Sequence, residues 1–148
     1  MFKEKICISR IDKMGDMILT LPVIKSIKIQ IPNSEVHVLA SIKNSKVLKN
    51  IKYIDKVFVI GQTKQSILKE IKQIAKTKYT YFFNFSPGIR SLILCFFSGS
   101  KKKASLILLS RYKDFFSKFF VNIFTSLFCD YKHVVNRIYR LNNNQELH

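Results

Sequence analysis

Two short stretches of this 148-residue chain hold side chains suited to acid–base or anion-binding chemistry. In residues 6–24, ICISRIDKMGDMILTLPVI, Arg10 supplies a cation and Asp16, directly after Gly15, a carboxylate. A carboxylate can take the proton of a substrate hydroxyl that comes within hydrogen-bond reach. The same residue type at the start of a helix commonly caps free amides of the first turn. Residue type and spacing leave both roles open for Asp16.

The second stretch is NFSPGIRS, residues 84–91. Ser86 is suited to an N-cap, Pro87 to a first helical position, and Gly88 to close approach of a ligand to the backbone. Free amides at a helix start favour an anion, and Arg90 could grip a carboxylate or phosphate in bidentate fashion. The expectation is an anion site at Ser86, Gly88 and Arg90, against the plainer alternative of a capped helix with a solvated arginine.

Both stretches need a scaffold. Residues 5–11 (KICISRI) form a short apolar run closed by a polar turn, as a buried strand would. Met17, Ile18, Leu21, Ile24, Ile27 and Ile31 then follow helical spacing, with Lys25, Lys28 and Gln30 opposite. Pro22 predicts a kink there or a helix that begins near Thr20. Further strands are expected at residues 35–40, 56–60, 79–85 and 104–109, and helices at 44–50, 65–77 and 86–98. Alternation at these intervals implies right-handed crossovers and an α/β, Rossmann-like, doubly wound and largely parallel sheet. Arg10, Asp16 and residues 84–91 would then all lie at carboxyl ends of strands, where open α/β sheets bind ligands. Beyond Ser110, Phe115, Phe116, Phe119, Phe120, Ile123, Phe124, Leu127 and Phe128 make an apolar helical stripe, read as core or as a face for a membrane or partner. Residues 133–141 suggest another helix.

Composition excludes several classes. A hydrophobic content of 47% argues against disorder, and the longest apolar run, residues 92–97, is far short of the roughly 20 residues of a membrane-spanning helix. The start, with a glutamate and a strand, is unlike a signal peptide, which suggests a cytoplasmic protein. Cys7, Cys95 and Cys129 are an odd number without CxxC spacing and read as reduced, mostly buried thiols. His37, His133 and His148 lack metal-ligand spacing, so no metal is expected. With only Gly15 in the first loop, a GxGxxG dinucleotide cradle is not supported. The formal charge of +17 suits polyanionic partners: nucleic acid, anionic lipid headgroups or acidic glycolipids. Nucleic acid ranks last, because no recognised binding signature accompanies the charge.

Residues 9–57, from SRIDKMGDMILTLP to YIDKV, resemble the amino-terminal part of the heptosyltransferase family, glycosyltransferase family nine. The elements carrying the resemblance are an Arg and Gly-Asp in the first loop, an L/T-x-P helix, a Pro-Asn turn and the Y-I-D-K-V strand entry. NFSPGIRS and KHVVNRIYRL resemble later segments of the family. The resemblance implies the amino-terminal half of a GT-B enzyme, with an acceptor side here and a nucleotide-sugar donor side on another domain. It implies transfer from a donor such as ADP-heptose to a lipopolysaccharide-type acceptor, with inversion and no required metal. Asp16 matches the family's base, and Arg10 and Arg90 would hold acidic groups of the acceptor. Asn84 stands where many relatives have an acidic residue.

The sequence is therefore read as an acceptor-side domain over residues 1–141, followed by a tail or the start of an interdomain linker at 142–148. It is expected to be a glycosyltransferase half that is inactive without a donor-binding domain, supplied in trans. Expected partners are an acidic glycolipid acceptor and an anionic membrane surface, on the inner face of the cytoplasmic membrane. The alternative is a non-catalytic basic module that binds anionic membrane or acidic glycolipid.

Overall fold

A computed structural model describes residues 3–61, 67–107 and 115–128. The chain divides into two units, Met1–Arg111 and Tyr112–His148.

In the first unit the order is β1 (Lys5–Arg10), α1 (Met14–Gln30), β2 (Glu35–Ala40), α2 (Ile42–Ser45), β3 (Lys56–Val59), α3 (Ile67–Lys76), β4 (Tyr81–Asn84), α4 (Ile89–Phe96) and β5 (Lys102–Ser105). All four strand pairings are parallel, in the order β3-β2-β1-β4-β5. This is a Rossmann-like α/β sheet, as the alternation of elements implied. The strand order reverses direction between β1 and β4. Right-handed crossovers that step outward to β2 and β3, then back to β4 and β5, put their helices on opposite faces of the sheet.

Side chains alternate across each strand, so β1 serves two cores. Ile6 and Ile8 pack with Met17 and Ile24 of α1 and with Val36, Val38 and Ala40 of β2. On the other side Cys7 is fully buried, as are Phe82 and, from α4, Leu92 and Cys95. Burial pushes the Cys7 thiol well up, and pushes Cys95 up to about 12, so both behave as inert core thiols. Cys129 lies outside the described residues. His37 sits in this layer with Nδ1 2.9 Å from the Tyr79 hydroxyl and Nε2 2.7 Å from Glu35. A neutral imidazole satisfies both contacts, accepting from Tyr79 and donating to Glu35.

Several boundaries differ from the sequence expectation. Helix α1 begins at Met14 and runs through Pro22, so it does not wait for Thr20. The Thr20 hydroxyl donates to the Asp16 carbonyl at 2.7 Å, adding a bond in the turn just before the proline. Strand β5 is Lys102–Ser105, not residues 104–109, because its pairing register with β4 matches Tyr81 to Lys102 and Asn84 to Ser105. The more apolar stretch that follows attracts a strand assignment by composition alone. Gly61 adopts φ +74°, the left-handed conformation that favours glycine, and turns the chain out of β3.

The second unit is described through α5 (Phe115–Phe128). The helix expected at residues 133–141 and the tail from 142 lie outside the described residues.

Candidate functional site

The reversal of strand order makes a crevice at the carboxyl ends of β1 and β4, the place where doubly wound sheets take ligands. The two sequence stretches singled out for their chemistry are the two loops that border it. Their adjacency follows from the β1–β4 register, in which Ser9 lies opposite Asn84, and from the Phe85 amide donating to the Ser9 carbonyl at 3.0 Å.

Arg10 ends β1, and its guanidinium joins three segments. One nitrogen donates to the Phe85 carbonyl of the β4 loop, and Nη2 lies 3.0 Å from Asp16 Oδ2. Its Nε lies 3.3 Å from Asp12 Oδ1, within ion-pair distance but without hydrogen-bond alignment. The arginine is largely buried, with 13% of its side chain exposed, whereas Asp16 keeps 34% exposed. The cation is therefore a fixed strut and the carboxylate remains open to a ligand.

Asp16 does not cap α1. The cap position is Lys13, which makes no side-chain cap bond, and Asp16 lies inside the first turn of the helix. A carboxylate there still complements the partial positive charge of the first turn. Its side chain pairs with Arg10, so the cap alternative raised by sequence is not realised. A Cβ placed on Gly15 or Gly88 would meet nothing within 4 Å, so the space before both loops is open.

Ser86 is also not a helix cap. Gly88 occupies that position before α4, with no side-chain cap bond. The Ser86 hydroxyl instead accepts the Ile11 amide at 2.7 Å and donates to Asp12 Oδ1 at 3.1 Å. It is 1% exposed, a buried pin between the two loops. Ser91 holds the start of α4, donating to the carbonyls of Ser86 and Gly88 at 2.8 and 2.7 Å. Asn84 accepts the Ser86 amide at 3.2 Å and donates to Ser105 Oγ at 2.8 Å, a neutral bridging role that an aspartate could not fill as donor.

Arg90, expected to grip an anion, is engaged by the protein itself. Its Nε and Nη2 meet Glu70 Oε2 and Oε1 at 3.2 and 2.8 Å, and Glu70 Oε1 also accepts the Gly61 amide at 2.9 Å. Glu70 is 6% exposed while the arginine side chain is 39% exposed. The pair clamps α3 to α4 and to the turn after β3.

Sequence reasoning passed over Asp12, Asn44 and Glu70. Asp12 lies between Arg10 and Asp16, and the acid pair flanking Met14–Gly15 was a usable signal. Glu70 is the lone acid of the lysine-rich α3. Asn44 gave no signal; buried, it donates from Nδ2 to the Arg10 carbonyl at 3.0 Å. A separate open groove of about 460 Å³, lined by Leu48, Ile51, Ile54 and Val57 among others, lies toward the amino end of β3, away from this crevice. Among the described residues no cluster of His, Cys, Asp and Glu could hold a metal.

No family model matches the chain, and no curated protein matches it. Solved structures do. A glycosyl transferase family 9 structure from Veillonella parvula DSM 2008 matches with a TM-score of 0.61 at 18% identity, over 84% of this chain and 41% of that one. The E. coli ADP-heptose LPS heptosyltransferase II matches with a TM-score of 0.57 at 14% identity, over 69% of this chain and 30% of that one. The chain thus has a glycosyltransferase-like fold and spans less than half the length of these structural neighbours.

Proposed function

We propose that this chain is the acceptor-side half of a nucleotide-sugar-dependent glycosyltransferase, with Asp16 as the base. The observation that carries the reading is the Asp16 carboxylate, held by Arg10 at 3.0 Å yet one-third exposed, at the mouth of the β1–β4 crevice. The similarity of fold to two glycosyltransferases supports the reaction class.

In this reading the acceptor hydroxyl enters between the two loops. Asp16 accepts its proton as the hydroxyl oxygen attacks the anomeric carbon of the donor sugar, and the nucleoside diphosphate leaves from the opposite side. The strut from Arg10 fixes the carboxylate so that little is lost to reorganisation at the moment of transfer. Charge that develops on the departing diphosphate needs donors. A donor-binding half supplies them, in cis or in trans, and no metal is required. The donor is an ADP-heptose-like nucleotide sugar and the acceptor an acidic, lipopolysaccharide-type glycolipid, met at the inner face of the cytoplasmic membrane.

The test is transfer assayed by product mass with a donor-binding half added to this chain. Transfer that needs both parts and is abolished by Asp16→Asn is the expected result. Undiminished transfer by that variant would remove the base assignment, and transfer by the chain alone would remove the half-site reading.

A further inference from the structure

Helix α1 breaks the pattern of an ordinary surface helix. Its inward face is buried through Met17, Thr20 and Ile24. Its outward face should then be polar, yet Leu19 is 77% exposed, Ile29 66%, Ile18 48%, Val23 43% and Met14 42%. At about 100° per residue these five, with exposed Pro22, fall within an arc of about 180°. The charged residue within that arc is Lys25, two neutral polar residues, Ser26 and Gln30, share it, and Lys13 is exposed at the cap. Asp16, the helix's acid, lies at the arc's border.

We infer that the outward face of α1 is a docking surface for an anionic lipid membrane. Charge decides the occupant. A helix that lies in the membrane interface combines a broad apolar face with basic residues and few acids, and binds anionic lipid more tightly than neutral lipid. The whole chain carries 26 basic against 9 acidic residues, which a second copy would repel and an anionic surface attracts. Helix α5, considered by itself, repeats the combination independently. Phe115, Phe116 and Phe119 are 81%, 84% and 57% exposed, Lys118 is exposed between them, and the helix has no acidic residue. Neither helix spans: among the described residues none is long and apolar enough to cross a membrane. The apolar face therefore lies on the surface of the bilayer. This inference does not depend on sugar transfer.

The experiment is co-sedimentation of the full chain with phosphatidylcholine vesicles, with and without phosphatidylglycerol, at low and high salt. Expected are binding to the phosphatidylglycerol vesicles, weakening with salt, and a loss of roughly tenfold or more in Leu19→Ser/Ile29→Ser. Lys25→Glu should lose several-fold while leaving the apolar face intact. Circular dichroism confirms that these surface variants stay folded. Equal binding to both vesicle types, or wild-type binding by the double variant, would overturn the proposal. So would loss of self-association by that variant in sedimentation velocity without any change in vesicle binding, which would assign the face to a second copy of the chain.

Discussion

The Arg10 guanidinium lies 3.0 Å from the Asp16 carboxylate and also donates to the Phe85 carbonyl, so one side chain ties the helix bearing the candidate base to the loop after β4. Geometry of the carboxylate thus depends on a contact between segments 75 residues apart.

Arg10→Lys keeps the charge but loses the planar fork that reaches both partners. With a donor half supplied, kcat should fall by roughly a hundredfold, as misplacement of a reacting group by about 1 Å can cost that much. The acceptor KM should change much less. A rise in KM with kcat unchanged would instead make Arg10 a direct acceptor contact.

Ser86→Ala removes an acceptor from the Ile11 amide and a donor from Asp12 at a site that is 1% exposed. Leaving a buried amide unpaired should cost about 1–3 kcal/mol in urea unfolding. Ser86→Thr, which retains the hydroxyl, should recover part of that loss. An unchanged unfolding midpoint in the alanine variant would mean that water replaces the serine.

The clamp between Arg90 and Glu70 predicts an asymmetry. Arg90→Ala strands a carboxylate that is 6% exposed and still bound to Gly61, whereas removing both charges in Arg90→Ala/Glu70→Gln strands none. The single variant should therefore be the less stable, by about 1–2 kcal/mol after allowance for the arginine's partial exposure. Thermal unfolding of the pair tests this order. If Arg90 acts mainly by holding an external anion, phosphate should stabilise the wild type and not the alanine variant, with little difference in unliganded stability.

Stability should fall as the solution is acidified through the range where His37 titrates. Burial lowers the His37 pKa below its ordinary 6.5, outweighing Glu35, which favours the charged ring. The unfolded chain then binds the proton more readily, so this contribution is present in full above pH 6.5 and is lost as pH falls toward the folded pKa. Glu35 is held below 4.5, first by its hydrogen bond to His37, so its contribution is lost only at lower pH. Asp55 behaves alike: burial alone would raise it, but the Lys28 and Val36 hydrogen bonds outweigh that and hold it below 3.8. Urea unfolding at several pH values should show the slope, and His37→Gln should flatten its upper part. An unaltered slope in that variant would place the titration elsewhere.

Local chemistry was legible from the chain itself. Short β-branched runs, the helical spacing after Met17, and the turn residues at 32–33 each act within a few residues, so the order of strands and helices and the parallel sheet could be read directly. Arg10 and Asp16 stood out because their types and their place after a strand are themselves local. Tertiary structure decided what these residues touch. Pairing of β1 with β4 brings residues 9–16 against 84–86, and no local signal specifies a pairing across that separation. That adjacency turned Ser86 from a cap into an interloop pin, while a separate α3–α4 contact engaged Arg90 with Glu70 and the β4–β5 register placed β5 at Lys102–Ser105. The outward face of α1 shows the limit most clearly: periodicity marks which residues are apolar, but burial is set by what packs on each side, and Leu19 and Ile29 were left facing outward.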